Sequence, residues 1–269
     1  MTGLALQAAV RSDTGLVRSH NEDSVFASSR LLAVADGVGG RAAGEVASAA
    51  VIDQLILMDK SRLSEPLPRA LEKAVWSGNA SIDFIASCRP PTAGMSTTLT
   101  AVAIGDDGYS IANVGDSRAY LLREGTLVQL TRDDSYVQEL IESGAIDAES
   151  ARQHPQRSVV LKALDGSPDR TPAIDVEEAR AGDRLMLCSD GLSDLVDERA
   201  LGSALSIRSL ERSAEALIEL ALQAGGKDNV SVVVADVVLR TDESSGWVLG
   251  DESPGRKSQL QWCSRPVRG

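Results

Sequence analysis

The sequence predicts an α+β fold built on antiparallel sheet, and three observations carry that expectation. Between residues 96 and 131 short runs with a two-residue period are joined by turns too tight for a parallel crossover. Two stretches, beginning near Ala42 and Leu67, carry apolar residues at helical spacing. Apolar, strand-like runs stop abruptly at an Asp followed by Gly, as at Asp36-Gly37 and Asp190-Gly191.

In chain order, Leu4 to Val10 reads as a short strand followed by a turn over Ser12 to Gly15. Arg18-Ser-His-Asn-Glu22-Asp23 comes next, and strand character resumes over Ser24 to Ala27. An arginine four residues before a Glu-Asp pair can act as a planar clamp for phosphate or as a surface salt bridge. Leu31 to Ala35 is a buried strand that ends at Asp36, with glycines at 37, 39 and 40. Helices are expected from about Ala42 to Met58 and from about Leu67 to Ala86, the second opened by Pro66 and Pro68. Met58, Trp76 and Phe84 are most simply core residues.

After Pro90-Pro91 the expected strands are Ser96 to Ile104, Tyr109 to Val114, Arg118 to Arg123 and Leu127 to Thr131. Asp116 sits in the Gly115-Asp116-Ser117 turn. Asp133 to Ser143 reads as a helix, and residues 145–169, polar and irregular, form a flap over a site. Asp183 to Ser189 is a buried strand ending in Asp190-Gly191, and a helix from about Leu210 to Ala224 leads to Asp228-Asn229. Val230 to Leu239 closes the fold. The expected division is one catalytic domain over 1–240 and a flexible tail over 241–269, without periodicity and containing Trp247 and Trp262.

Composition narrows the function. With 269 residues, 43% of them hydrophobic, the chain can bury one sizeable core. Its net charge of -12 and lack of a Lys/Arg cluster argue against nucleic-acid or anionic-membrane partners. Three well-separated cysteines suit a reducing compartment, and no signal or spanning segment is evident, so a cytoplasmic location is expected. Two histidines cannot supply a histidine-rich zinc centre, and neither a G-x-S-x-G elbow nor a G-x-x-x-x-G-K-[ST] loop occurs.

What remains is acidic. Asp36 with its glycines admits three readings: a hard-metal site, a dinucleotide loop, or a plain strand-turn-helix junction. The charged Asp before the first glycine would repel a pyrophosphate. Asp116, Asp190 and Asp228 repeat the same placement in strand-end or glycine turns, which turns the balance to the metal.

The ordered set Arg18-x-x-Asn-Glu22-Asp23, Asp36-Gly37-x-Gly-Gly, Gly94-x-Ser96-Thr97-Thr98, Gly115-Asp116-Ser117-Arg118, Ser189-Asp190-Gly191 and Asp228-Asn229 resembles the bacterial metal-dependent protein Ser/Thr phosphatases of type 2C. The resemblance covers roughly residues 4 to 238. It implies an α-β-β-α sandwich of two antiparallel sheets flanked by helices, with a small flap. It also implies hydrolysis of phosphoserine and phosphothreonine in proteins with Mn²⁺ or Mg²⁺, as two core ions and a third, looser one.

By that resemblance Asp36 bridges the two core ions, Asp190 and Asp228 complete one, and Glu22 with the Gly37 carbonyl completes the other. Asp23 orients water, Asp116 with Asp190 holds the third ion, and Arg18 binds the substrate phosphate. The implied partners are phosphorylated proteins, a cognate Ser/Thr kinase and targets such as FHA-domain proteins, with the enzyme a monomer. Rival functions are a relative that binds phosphoproteins without cleaving them, and a phosphatase of small phosphorylated metabolites or of a partner-switching regulator.

Three departures stand out. Val38 occupies the place of a histidine proposed as general acid in animal relatives, leaving metal-bound water or His20 as proton sources. Asp134 replaces the histidine of a Leu-Thr-x-Asp-His stretch. Lys162-Ala-Leu-Asp165-Gly166 replaces Arg-Ala-Leu-Gly, with one extra residue before the glycine.

Overall fold

The first strand to consider is the third, Leu31–Ala35, in which all five residues are buried. Side chains of a strand alternate between faces. Leu31, Ala33 and Ala35 accordingly enter one apolar cluster with the helices Gly44–Lys60 and Leu67–Cys88, while Leu32 and Val34 enter another that lies between two sheets. The strand Arg184–Cys188 divides in the same way: Met186 and Cys188 face a third, helix-covered cluster, and Leu185 and Leu187 face the inter-sheet one. Two sheets covered on both faces therefore follow from the burial pattern itself.

The computed structural model describes residues 3–38, 43–61, 65–105, 108–170 and 172–240. Strands are numbered β1 (Leu4–Asp13), β2 (Ser24–Ala27), β3 (Leu31–Ala35), β4 (Gly37–Val38), β5 (Ser96–Thr97), β6 (Leu99–Gly105), β7 (Gly108–Val114), β8 (Arg118–Arg123), β9 (Thr126–Gln129), β10 (Ala173–Glu177), β11 (Arg184–Cys188) and β12 (Val230–Leu239). Helices are α1 (Gly44–Lys60), α2 (Leu67–Cys88), α3 (Tyr136–Glu142), α4 (Ala148–Arg152), α5 (Asp190–Ser193), α6 (Glu198–Leu205) and α7 (Leu210–Gln223). One sheet has the order β1-β12-β11-β8-β9, the other β10-β7-β6-β3-β2, and β4-β5 form a small ribbon. Every pairing is antiparallel. Helices α1 and α2 cover one outer face and α5 to α7 the other, which is the expected α-β-β-α sandwich.

Several expectations are corrected. β1 does not turn at Ser12 but stays in register with β12 as far as Asp13↔Val230. The strand expected over 96–104 is split at Thr98, because Ser96–Thr97 pairs with Gly37–Val38 while Leu99 onward joins the main sheet. The helix expected from Asp133 begins at Tyr136, where the Ser135 side chain accepts from the Gln138 amide. Residues 145–169 are not wholly irregular, since they contain α4. Trp76 and Phe84 are not core residues: they are 46% and 63% exposed on α2, whose buried face runs through Leu71, Val75 and Ile82. Gly39, Gly40 and the tail 241–269 lie outside the described residues.

The flap is anchored at its C-terminal end by apolar burial. Leu164 is fully buried in the cluster beneath α1 and α2, and its backbone exchanges hydrogen bonds with Thr97 at 2.8 and 3.0 Å. Leu164→Ala is therefore expected to cost about 2–5 kcal/mol, a buried truncation rather than a loop change. Urea unfolding of the full chain measures it, and a loss below about 1 kcal/mol would show that the flap is not stitched into the core.

Candidate active site

Antiparallel pairing brings the ends of β1, β3, β7 and β11 and the starts of β2, β8 and β12 to one end of the sandwich. Glu22, Asp23, Asp36, Asp116, Asp190 and Asp228 are attached at that end, from segments far apart in sequence. The local supports explain the surrounding motif residues. The Asp36 amide donates to Thr98 Oγ1 at 3.1 Å, and its carbonyl accepts from Thr97 Oγ1 and the Thr98 amide, each at 2.8 Å. Asn229 Oδ1 accepts the Glu22 amide, and its Nδ2 donates to the carbonyls of Thr14 and His20, all at 2.9 Å. One asparagine thus closes the whole β1–β2 loop.

Glycine is required by contact at two of these supports. A Cβ on Gly37 would lie 2.5 Å from the Gly44 carbonyl carbon and 2.7 Å from the Glu22 carbonyl oxygen, both backbone atoms that cannot move aside. On the other side of the site, a Cβ on Gly191 would sit 2.0 Å from the Asn229 carbonyl oxygen. The backbones carrying Asp36, Asp190 and Asp228 are therefore packed without side chains between them.

Electrostatics record the crowding. The Asp36 carboxyl is pushed well above the ordinary range, first by loss of water and then by the charges of Asp23, Asp190, Asp116 and Asp228. Asp190 is raised in the same way, by desolvation and then by Asp116, Asp194, Asp228 and Asp23. Asp116 rises to about 7, through burial and then the charges of Asp133 and Asp194. Asp23 rises to about 6 through burial, against hydrogen bonds with Ser231, Ser189 and Asp36 that favour its ionised form. Glu22 is raised by desolvation and by the charge of Glu45.

Arg18 brings an exposed cation to the site. Its Nη2 donates to Asp228 Oδ2 at 2.6 Å while its side chain remains 52% exposed, and the Asp228 bond holds its pKa above the ordinary value. His20 is exposed and enters the network through its carbonyl. Two participants have no role in the sequence reading. Asp194, four residues after Asp190 and at the C-terminal end of α5, adds its charge to both Asp116 and Asp190. Its spacing on one helical turn is the signal that could have found it. Asp133 is gripped by Arg118, whose Nε and Nη2 donate to its carboxylate at 2.6–3.0 Å.

The replaced flap residues meet each other. Lys162 Nζ donates to Asp134 Oδ1 at 2.8 Å, the Asp134 amide donates to the Gly115 carbonyl at 2.8 Å, and the Asp134 carbonyl accepts the Leu161 amide at 2.7 Å. Asp134 thereby links the flap to the turn that carries Asp116.

The donor set fits divalent cations by its chemistry. It offers carboxylate oxygens, crowded enough to raise one another's pKa, and no soft ligand. Among the described residues, no three acidic, histidine or cysteine side chains already converge as a ready ligand set.

A family model described as protein phosphatase 2C matches residues 17–229. The chain belongs to that family. It is 51% identical over 235 residues to the Mycobacterium tuberculosis serine/threonine protein phosphatase PstP, covering 87% of this chain and 46% of that one, so it spans about half of that relative's length. Against the Listeria monocytogenes serine/threonine phosphatase stp the identity is 36%, with 86% of this chain and 96% of the relative covered. The crystal structure of the M. tuberculosis phosphatase PstP/Ppp superposes with a TM-score of 0.84 at 50% identity, over 88% of this chain and all of that one. A second structure of the PstP catalytic domain, in complex with two manganese ions, has a TM-score of 0.82 at 49% identity, over 87% of this chain and 99% of that one. The 2C-type sandwich is thus matched over nearly all the described residues.

Raised carboxyl pKa values make stability depend on pH. In chelator, Asp23 and Asp116 bind protons more tightly folded than unfolded, so their contribution is full below about pH 4 and is lost as the pH rises through about 6 to 7. Asp116→Asn should stabilise the chelated 2C-type domain by roughly 1–4 kcal/mol at pH 7.5 and change little at pH 4. Thermal melts in chelator across that range measure this, and equal effects at both pH values would contradict the crowding.

Proposed function

We propose that residues 1–240 form a catalytic domain that hydrolyses phosphoserine and phosphothreonine in proteins, using Mn²⁺ or Mg²⁺. The observation that carries this proposal is the mutual repulsion of Asp36, Asp190 and Asp116 beside Arg18, an acidic nest with an accessible guanidinium at its edge. The two manganese ions in the PstP catalytic-domain structure, from a relative about half identical, support the choice of metal.

Asp36, Asp190, Asp228, Glu22 and the Gly37 carbonyl would hold the two core ions, with Asp116, Asp190 and Asp194 facing the third. Bound there, the ions supply charge neutralisation and lower the pKa of water so that hydroxide is available near neutral pH. Arg18 exchanges Asp228 for phosphate oxygens, where its planar fork offsets charge that spreads during transfer. Asp23, buried and hydrogen-bonded by Ser189 Oγ at 3.0 Å, accepts a hydrogen bond from the attacking water and holds its orientation. Val38 offers no proton to the leaving alkoxide; water held by the cations, or His20, would supply it.

A cognate Ser/Thr kinase and its targets, FHA-domain proteins among them, are the proposed substrates, in keeping with the naming of the relatives as serine/threonine phosphatases. We place the domain in the cytoplasm, a reducing compartment that suits its three well-separated cysteines.

The full chain with a phosphothreonine peptide tests the proposal. Phosphate release is expected in Mn²⁺ and not in excess chelator, Asp36→Asn should lower kcat by about 10³-fold, and Arg18→Ala should lower kcat/KM by about 10–100-fold. No release under any metal, from the peptide or from a phosphoprotein, would overturn the catalytic reading.

A further inference from the structure

The turn that leads from β1 into Arg18 is built of uncharged residues, Thr14-Gly15-Leu16-Val17, although it borders the acidic nest. Leu16 and Val17 are 68% and 69% exposed, the two most exposed large apolar side chains among the described residues. Single apolar residues scattered over a surface are ordinary, but these two stand in succession beside the exposed guanidinium of the site. Their turn is also firmly held. Gly15 has φ +78°, its amide donates to Asp13 Oδ1 at 2.8 Å, and a Cβ there would lie 2.2 Å from the Asp228 carbonyl oxygen. The Leu16 amide donates to the Gly226 carbonyl at 2.7 Å, and Asn229 Nδ2 donates to the Thr14 carbonyl at 2.9 Å. A Cβ on Gly226 would meet Leu16 Cγ at 3.0 Å and Leu222 Cδ2 at 3.1 Å, so the base of the Leu16 side chain rests over Gly226 beside the end of α7.

We infer that Leu16 and Val17 form a specificity-determining ledge that receives an apolar side chain flanking the phosphorylated residue of a protein substrate. The inference rests on the catalytic reading above and deepens it: Arg18 marks where the phosphate goes, and the two residues before it select what stands beside the phosphate. Reach permits this, because consecutive Cα atoms are about 3.8 Å apart in the turn as in a bound peptide. A peptide whose phosphate meets Arg18 therefore carries its neighbouring residues past Val17 and Leu16.

The chemistry of the turn selects the occupant. No residue from Thr14 to Val17 is charged, so a charged flank finds no ion-pair partner on it, and an acidic flank is repelled by Glu22 and Asp228 as well. Covering the exposed faces of Leu16 and Val17 with an apolar side chain removes apolar surface from water on both partners. The turn is fixed before the substrate arrives, through Gly15, the Leu16 amide and Asn229, so little ordering entropy is lost on contact. The flanking residue does not react, and the ledge touches it alike in the ground and transition states. Its contribution therefore falls on KM and leaves kcat nearly unchanged.

Steady-state kinetics of the full chain in Mn²⁺ test the ledge, with phosphothreonine peptides that carry either leucine or serine on both sides of the phosphothreonine. KM should be about 5–20-fold lower for the leucine peptide, with kcat for the two within about twofold. In Leu16→Ser/Val17→Ser the ratio of the two KM values should fall below about 2, Val17→Ser alone should lower it part of the way, and Leu16→Met/Val17→Ile should keep it. Each chain is its own reference, so a general loss of fold or of metal moves both peptides alike and leaves the ratio unchanged. Equal KM values in the parent chain, or a ratio that survives the serine pair, overturns the ledge and leaves the catalytic reading standing. No phosphate from either peptide under any metal overturns both.

Discussion

Like charge held close, away from water, is the constraint on which the rest of this structure depends. Desolvation and mutual repulsion both disfavour ionised Asp36 and Asp190, so the fold must supply the stability that the site withdraws. It does so with three apolar layers, one between the sheets and one under each helical cover. Strands β3, β11 and β12 are apolar on both faces because both faces are covered. Their ends are rigid platforms on which repelling carboxylates can be held.

Rigidity must also reach the turns, since repelling groups move apart wherever the backbone lets them. Asp36 is fixed at its amide and its carbonyl by Thr97 and Thr98, so only its side chain is left to rotate. The Glu22 loop cannot retreat while Asn229 holds it at three points. At Gly37 and Gly191 the backbones approach so closely that any side chain would separate them. Hydrogen bonding and steric fit, not attraction within the site, keep the acidic groups together.

The legible parts of the sequence were those in which a short-range pattern has one physical cause. Two-residue periods and tight turns revealed the antiparallel strands, and an acid at the end of an apolar strand revealed Asp36 and Asp190. What escaped was decided by neighbours distant in sequence. Ser96 to Thr98 looks continuous with β6, and the break exists only because Gly37–Val38 pairs with Ser96–Thr97. Trp76 and Phe84 are large and apolar, yet α2 buries a stripe that excludes them. The strand β10 is exposed at four of its five positions and has no apolar signature to find. Asp194 joins the site through the geometry of α5, a helix of one turn that the pattern before it conceals.

The two arginines near the acidic end illustrate why contact alone does not assign a role. Arg118 makes three hydrogen bonds with the Asp133 carboxylate, which is buried while the guanidinium is largely covered, with side-chain exposures of 5% and 23%. Separating such a pair would leave an uncompensated buried charge, at a cost of about 3–5 kcal/mol, more than a transient phosphate contact repays. Arg18 makes one hydrogen bond with Asp228, both partners are more than a third exposed, and exposed pairs of this kind contribute about 0–1 kcal/mol. Exchange of partners is therefore inexpensive for Arg18 and prohibitive for Arg118. The residue suited to meet a substrate phosphate is the one whose present partner is easily replaced, and Arg118 serves instead to hold Asp133 beside Asp116, where its carboxylate sustains the raised pKa.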